Sequence, residues 1–413
     1  MPCPVCGAAA DSNCLSINVP VNCSALFSSR EQAQAARKGT VALTFCRYCG
    51  IIFNAEFNRA IVEYDDSYEN SLYFSPAFRT YCSALVRHLI DTYSLTNKTI
   101  VEIGCGDGKF LAELCEKGGN IGFGFDPAYK GNSPSPSVRM LSATYSSAHV
   151  DIQANAVCCR HVLEHIADPR DLLRAILSNL AKSPLPLFYC EVPNASAVFD
   201  GSSLWDVIYP HCCYFTAVSL RNLLERAGFR VLRIGASFET QFLGAEAAPL
   251  ISGPVEKSPV TDELAGVAKM IKGFKHRFRD AAERWAALIE SAQLQGRRVA
   301  LWGVGAKAVT FLNTVTAAAG VGLLVDSNPR KHGMYVPGTG QRIGDPADLA
   351  DYRPDALILL NPAYRSEICQ VLQQAHLDTD LWVGMHGLPC IFNQSENIPK
   401  SYYNENRLRQ PAD

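Results

Sequence analysis

Four cysteines near the N-terminus stand in two closely spaced pairs. Cys3 and Cys6 form the first pair, Cys46 and Cys49 form the second, and 39 residues separate them. A Cys-x2-Cys turn aims two thiolates at one tetrahedral ion, and two such turns complete a Zn²⁺ site with no position open for catalysis. Closing the long loop costs little beside a zinc-binding free energy of about 10–16 kcal/mol. The spacing therefore favours a structural zinc ion over four reduced core cysteines.

A glycine-rich turn follows a short apolar run further along the chain. Residues 99–103 are typical of a buried strand, and Gly104, Gly106 and Gly108 come directly after it. Glycines in such a turn let a ligand approach the backbone closely. Asp126 lies 18 residues beyond Gly108, at the tip of the next predicted strand, where a carboxylate can accept hydrogen bonds from both ribose hydroxyls. The pattern predicts a cofactor that carries a ribose.

Alternating strands and helices must position this turn. Strands that alternate with helices predict a parallel sheet covered on both faces, and the chain contains two such sets. Between them, residues 261–295 lack proline and carry apolar side chains at helical spacing, which predicts a long amphipathic connector. The predicted strands of the first set are 99–103, 122–125, 156–159 and 187–192, with a helix at 109–116. Those of the second set are 299–302, 322–325 and 356–360, with a helix at 307–314.

The length of 413 residues exceeds what a single hydrophobic core usually supports, so several domains are expected. The predicted fold class is α/β with two Rossmann-like domains and a small zinc-binding module. The expected boundaries are a zinc-binding module at 1–62, a Rossmann-like domain at 63–255, a helical connector at 256–295 and a second Rossmann-like domain at 296–413.

Charge and hydropathy favour a small-molecule partner. The formal net charge of −2 provides no broad attraction to nucleic acid or to anionic lipid. No apolar run is long enough to span a membrane, and the N-terminus lacks the pattern of a secretory signal. We therefore expect a soluble, cytoplasmic protein with reduced cysteines, which binds neither nucleic acid nor membranes. The oligomeric state is not indicated.

The spacing of the glycines identifies the cofactor more closely. The segment Glu-x-Gly-x-Gly-x-Gly that begins at Glu102 resembles motif I of Rossmann-like S-adenosylmethionine-dependent methyltransferases, whereas NAD-binding turns space the third glycine differently. Residues 157–166 resemble the segment after the family's fourth strand, and residues 219–231 resemble its late helix and strand. The resemblance implies S-adenosylmethionine as cofactor; a dehydrogenase and a decayed cofactor fold are the alternatives. The implied cofactor-binding residues are Glu102, Gly104, Cys105, Gly106, Gly108, Asp126 and His161.

The whole chain resembles the three-domain C-methyltransferases that act on nucleotide-linked 4-keto-deoxysugars. Residues 303–307, 325–333 and 335–339 carry the C-terminal signature. The resemblance implies that the C-terminal domain holds a carrier-linked substrate. Lys307, in a glycine turn at a helix N-terminus, is suited to a diphosphate, and the alternative is a solvated lysine in a structural turn. The candidate substrate-binding residues are Lys307, Asn328, Lys331 and Asn361.

Carbon methylation requires a proton to be removed next to a ketone while the enolate oxygen is stabilised, and a neutral imidazole can accept that proton near pH 7. His211 resembles the family's catalytic histidine, and Tyr209 is a candidate donor to the enolate. Tyr68 and His165 resemble two other active-site residues. Pro210 stands where the family usually has glutamate, so another acid must substitute or the chemistry must differ. Histidines and tyrosines hydrogen-bonded in a core are the alternative interpretation.

Two other functions remain compatible with these motifs. The methyl group could pass to oxygen or nitrogen of a different metabolite, or the chain could be a non-catalytic zinc-containing binding protein. His161 and His165 alone do not make a metal site, so no catalytic metal is expected.

Overall fold

The computed structural model describes residues 2–10, 13–62, 69–149, 151–201, 203–250, 261–392 and 401–402. These residues form three sheets. The strands are β1 (Asn13–Pro20), β2 (Lys38–Phe45), β3 (Ile52–Asn54), β4 (Thr99–Ile103), β5 (Ile121–Phe125), β6 (Val138–Leu141), β7 (Ala156–Arg160), β8 (Leu187–Pro193), β9 (Cys213–Tyr214), β10 (Phe229–Ser237), β11 (Phe242–Pro249), β12 (Val299–Trp302), β13 (Leu323–Val325), β14 (Ile343–Gly344), β15 (Ala356–Leu359), β16 (Asp380–Met385), β17 (Leu388–Phe392) and β18 (Ser401–Tyr402). The α-helices are α1 (Arg30–Gln34), α2 (Pro76–Tyr93), α3 (Lys109–Gly118), α4 (Arg170–Leu180), α5 (Ala195–Asp200), α6 (Ala217–Arg226), α7 (Thr261–Ile271), α8 (Phe274–Leu294), α9 (Ala306–Thr314), α10 (Asp348–Tyr352) and α11 (Arg365–Gln374).

The middle sheet has the strand order β10-β11-β8-β7-β4-β5-β6. Strands β4 to β8 are parallel, and β11 and β10 join them in antiparallel pairing. Side chains alternate between the two faces along each strand. Cys158 therefore packs with the residues of α2 and α3, whereas Val157 and Cys159 pack with those of α4 and α6 on the opposite face. The prediction of a parallel sheet covered on both faces is confirmed.

The C-terminal sheet has the order β14-β13-β12-β15-β16-β17-β18. Strands β12 to β16 are parallel, and β17 and β18 are antiparallel additions. The predicted strand at 299–302 is confirmed with its bounds, and the strands predicted at 322–325 and 356–360 each differ from the observed ones by one residue. This unit is a second Rossmann-like layer of strands and helices.

The N-terminal residues form a four-stranded antiparallel sheet in the order β1-β2-β3-β9. Its last strand comes from far along the chain, since Cys213 and Tyr214 pair with Phe53 and Ile52 of β3. The buried residues of β1 and β2 belong to the same apolar core as the buried residues of α8 and α9. The N-terminal module is therefore covered by later parts of the chain.

Residues 261–294 form two helices where the sequence predicts a single long connector. Gly273 separates α7 from α8 and has φ of 79°, a left-handed conformation that glycine adopts readily. The apolar side chains at helical spacing are buried as expected, and Trp285 donates a hydrogen bond to the carbonyl oxygen of Gly387 at 2.9 Å. None of the described helices combines the length and the apolar character needed to cross a membrane.

Candidate active site

A cleft of about 1110 Å³ opens at the carboxyl ends of the central strands of the middle sheet. The chain leaves β4 for β5 on one side, while β7 lies on the other side of β4. Such a switch point is where open α/β sheets bind their ligands. The turn after β4, the ends of β5 and β7, residues 69–73 and Arg330 of the C-terminal unit all contribute to the lining.

The glycines of the turn serve different purposes. Gly104, Gly106 and Gly108 have φ values of 67°, 54° and 73°, which a residue with a side chain rarely adopts. A Cβ at Gly104 would lie 2.2 Å from Val162, so this glycine permits packing inside the protein. At Gly106, by contrast, no described atom lies within 4 Å of a Cβ position. Gly106 is therefore the place where a ligand can approach the main chain.

Two carboxylates flank this turn. Asp126 accepts hydrogen bonds from the main-chain N–H groups of Gly106 and Ala128, both at 2.9 Å, which fixes the orientation of its carboxylate. Glu102 is 3% exposed, and its Oε2 has no hydrogen-bond partner among the described residues. Burial raises the pKa of Glu102 to about 8. An unsatisfied buried acceptor fits a cofactor that brings its own donor groups.

Most of the predicted cofactor-binding residues line the cleft together. Gly108 differs, since it is the N-cap of α3 and a Cβ there would meet Met140. The predicted residues that line the cleft are Glu102, Gly104, Cys105, Gly106, Asp126 and His161.

A buried ionic network lies under the cleft. Arg160, at the end of β7, donates two hydrogen bonds to Glu191 of β8, from Nη2 at 2.9 Å and from Nε at 3.1 Å. Tyr189 donates to the other oxygen of Glu191 at 2.9 Å, and Tyr81 also donates to that oxygen. Burial alone would raise the pKa of Glu191, but Arg160 and His161 outweigh it and hold that pKa well below its usual value. Arg160 and Glu191 are therefore a buried ion pair, of which Arg160 reaches the cleft wall.

His161 has φ of 54°, an unusual conformation for a residue with a side chain. Its Nδ1 lies 3.7 Å from Glu164, and its Nε2 lies 3.1 Å from Glu191 without the alignment of a hydrogen bond. Burial favours the neutral ring, but the two carboxylates dominate and raise the pKa of His161 to about 9. His161 is thus a cation at the cleft wall near pH 7.

Two of the predicted catalytic residues contact each other beside the cleft. His165 lines the cleft, and the centroid of its ring lies 5.0 Å from that of His211. His165 Nδ1 donates to the carbonyl oxygen of Pro210 at 3.0 Å. Burial lowers the pKa of His165, and burial together with the neighbouring histidines lowers that of His211 well below its usual value. Both imidazoles are therefore neutral near pH 7.

His211 itself is 8% exposed and is not among the described residues that line the cleft, although it contacts His165, which is. Tyr209 points into the core, where its phenol oxygen accepts a hydrogen bond from the Asn58 N–H at 3.0 Å and its ring lies 5.7 Å from that of Phe57. The predicted catalytic residue Tyr68 lies outside the described residues.

Two of the four candidate substrate-binding residues lie at the seam between the middle and C-terminal units. Lys307 pairs with Asp206 at 3.0 Å and donates to Ser203 at 2.7 Å and to Gln241 at 3.1 Å. Asn361 also bonds Gln241, at 2.8 Å. Their assignment to substrate binding stays a prediction.

The other two candidates lie inside the C-terminal unit. Lys331 is 7% exposed and bonds Asp326 and the Val304 carbonyl oxygen, both at 3.0 Å. Asn328 caps a short helical turn by accepting from the Arg330 N–H at 3.0 Å. Arg330, which the sequence analysis did not single out, reaches the cleft and pairs there with Glu69 at 2.9 Å.

The four cysteines of the N-terminal module converge. Cys3 Sγ lies 3.4 Å from Cys49 Sγ, and Cys6 Sγ lies 3.5 Å from Cys46 Sγ. All four sulfur atoms lie within 4.8 Å of one another, a spacing that suits one tetrahedral ion. Cys212 and Cys213 lie next to His211 in the sequence. Both are buried, and their thiols donate to main-chain carbonyl oxygens.

Several residues of the site could not be recognised individually from the sequence. Glu164 lies within the 157–166 segment, but only the fold brings it next to His211. Arg160 and Glu191 stand at the ends of adjacent parallel strands, a position that marks the functional edge of such sheets. That position is the signal that could have identified them.

Comparison with known proteins finds two family models that match separate parts of the chain. Residues 73–234 match a methyltransferase domain, and residues 256–383 match the C-methyltransferase C-terminal domain. The chain is 27% identical over 307 residues to the C-methyltransferase NovU of Streptomyces niveus, covering 69% of this chain and 71% of that protein.

Two weaker likenesses each cover less than half of this chain. A tRNA U34 carboxymethyltransferase of Campylobacter jejuni is 24% identical over 159 residues, covering 35% of this chain and 54% of that enzyme. The solved structure of 1,6-didemethyltoxoflavin-N1-methyltransferase of Burkholderia thailandensis, with S-adenosylhomocysteine bound, is 18% identical, with a TM-score of 0.32, and covers 42% of this chain and 78% of that one.

Proposed function

We propose that this chain, which joins an S-adenosylmethionine-dependent methyltransferase domain to a C-methyltransferase C-terminal domain, methylates a carbon next to a ketone on a nucleotide- or carrier-linked sugar. The observation that carries the proposal is the open glycine turn, flanked by Glu102 and Asp126, at the switch point of the middle sheet. The likeness to NovU supports carbon as the methyl acceptor.

The residues present fit the cofactor. Gly106 leaves room beside the main chain, Asp126 offers an oriented carboxylate for hydroxyl groups, and Glu102 offers a buried acceptor. When bound, S-adenosylmethionine supplies a methyl group on a sulfonium sulfur.

His211 is the proposed proton acceptor. Its imidazole is kept neutral by burial, so a nitrogen lone pair is available near pH 7. His165 lines the cleft next to His211, and its ring is held by the Pro210 carbonyl oxygen. Pro210 thus orients a histidine through its main chain, although it cannot supply the carboxylate that the family usually has at this position.

Basic side chains at the rim suit an anionic carrier. Arg330 and Lys109 both lie over the ring of Phe74, at 5.8 and 5.5 Å from its centroid. Phosphate oxygens are favourable partners for such cations. We propose that the carrier's phosphates bind at this rim, and that Lys307 and Asn361 also hold the seam between the two units.

Methyl transfer and proton removal can be tested separately. The protein is incubated with methyl-labelled S-adenosylmethionine and a panel of nucleotide-linked 4-keto sugars carrying deuterium at the α-carbon. We expect label in one sugar with loss of its deuterium, no turnover by His211→Ala, and retained cofactor binding by that variant in calorimetry. Transfer with the deuterium retained would refute carbon methylation and favour an oxygen or nitrogen acceptor.

Zinc is proposed for the four cysteines. Four converging sulfur atoms fit the closed tetrahedral geometry of a structural site, which leaves no position for substrate.

A further inference from the structure

A buried carboxylate next to the two histidines has no balancing hydrogen bond. Glu164 is 2% exposed, and neither of its carboxylate oxygens has a hydrogen-bond partner in the part of the chain that the structure describes. Burying a carboxylate without partners is strongly unfavourable. His161 approaches it to 3.7 Å, which is too long for a hydrogen bond, and lies against Glu191 with its other nitrogen. Glu164 thus has an ion-pair partner in His161, but both of its oxygens still have lone pairs that could bind a further cation.

The neighbouring groups are metal ligands. One carboxylate oxygen of Glu164 and one ring nitrogen each of His165 and His211 lie within 4.8 Å of one another. Ligand atoms that bind one ion at about 2.1 Å are at most about 4.2 Å apart, so small side-chain rotations would close the cluster around an ion.

The surroundings of the rings also fit metal binding. A histidine that binds a metal through one nitrogen usually donates its other N–H to a carbonyl or a carboxylate. His165 donates from Nδ1 to the Pro210 carbonyl oxygen at 3.0 Å, which leaves the lone pair of the neutral ring on Nε2. The His211 ring likewise has a hydrogen bond to the main chain of Asp206.

We propose that Glu164, His165 and His211 form a binding site for a divalent transition-metal ion. Two imidazole nitrogens and one carboxylate oxygen suit Zn²⁺, Co²⁺ or Fe²⁺ rather than Mg²⁺ or Ca²⁺, which prefer oxygen ligands alone. Three protein ligands leave open coordination positions on the side of the cleft, where His165 is part of the wall.

Occupation of this site excludes proton abstraction by His211. A ring nitrogen that binds the ion has no lone pair for the substrate's proton. The ion is therefore an inhibitor of the reaction proposed above, and this consequence, unlike the site itself, rests on the proposed function.

Cobalt provides a test in the full-length protein with the cysteine site already loaded with zinc. We expect Co²⁺ titration to give visible bands of a nitrogen and oxygen ligand set, without the intense sulfur-to-cobalt charge-transfer band of a thiolate site. Glu164→Gln and His165→Gln should each weaken binding at least about tenfold. His276→Gln, which removes an exposed histidine on α8, is the matched control and should leave the titration unchanged. Circular dichroism and S-adenosylmethionine binding confirm that the variants are folded.

The results separate the two proposals. Unchanged cobalt binding in Glu164→Gln, or the absence of any visible cobalt bands, would overturn the metal site whatever the activity. Turnover should fall as cobalt binds and return on chelation. Turnover that rises with cobalt would leave the metal site standing and overturn His211 as the base.

Discussion

The raised pKa of Glu102 makes the stability of the middle sheet depend on pH. The carboxyl group has an ordinary pKa of 4.5, and burial raises it to about 8 in the folded protein. Between these values the folded state retains a proton that the unfolded chain has released. The free energy of unfolding therefore decreases as the pH rises through this window and levels off above about pH 8.

The magnitude follows from the two pKa values. One pKa unit corresponds to 1.36 kcal/mol, so the loss between about pH 5.5 and about pH 8.5 is about 3 kcal/mol for this group alone. Glu102→Gln keeps the shape of the side chain and removes the titration. The difference in stability between Glu102→Gln and the wild type should therefore shift by about 3 kcal/mol in favour of the variant over that range.

Hydrogen exchange of peptides from β4 and α3, measured by mass spectrometry without cofactor, reports the opening free energy of this part of the sheet. Comparing variant and wild type at the same pH removes the intrinsic pH dependence of exchange. Glu116→Gln, on the exposed side of α3, is the matched control and should show no pH-dependent difference. A constant difference for Glu102→Gln from about pH 5.5 to about pH 8.5 would refute the argument that burial holds the proton on Glu102.

Three further perturbations test other parts of the structure. Arg160→Met removes the guanidinium that pairs with buried Glu191 and should lower the free energy of unfolding by about 3–5 kcal/mol. Adding Glu191→Gln should recover part of this loss. Strictly additive effects of the two substitutions in urea denaturation would contradict the pairing. Cys46→Ser should remove one equivalent of zinc in elemental analysis, whereas Cys23→Ser, at a buried cysteine outside the quartet, should retain it. Equal zinc contents in the two variants would rule out the proposed cysteine site. Lys307→Met should lower the melting temperature by roughly 2–4 °C for each kcal/mol that its seam contacts contribute, while cofactor affinity in calorimetry stays the same; a large loss of affinity would place Lys307 in the binding site instead.

The sequence predicted the parallel core well, because strand and turn signals there are local. The run at Thr99–Ile103 and the glycines after it are both visible within about ten residues, and the observed strand has the predicted bounds. Asp126 could be placed at the same edge for the same reason, since consecutive parallel strands end at one side of the sheet.

The interactions between distant segments could not be predicted in this way. The pairing of β3 with β9 joins Ile52 and Phe53 to Tyr214 and Cys213, much later in the chain. No local sequence pattern predicts a strand of only two residues. Lys307 follows a glycine turn, a local signal that predicts phosphate binding, but no local signal indicates that its side chain also pairs with Asp206 of another unit. Only tertiary contact decides which partner such a cation meets.

The short strand β9 begins two residues after His211 and is hydrogen-bonded into the N-terminal sheet, whose neighbouring turn carries Cys46 and Cys49. The N-terminal sheet therefore helps to position the segment that carries His211. We expect removal of residues 1–62, or loss of the zinc proposed for the four cysteines, to displace His211, the proposed proton acceptor, before the cofactor-binding turn changes.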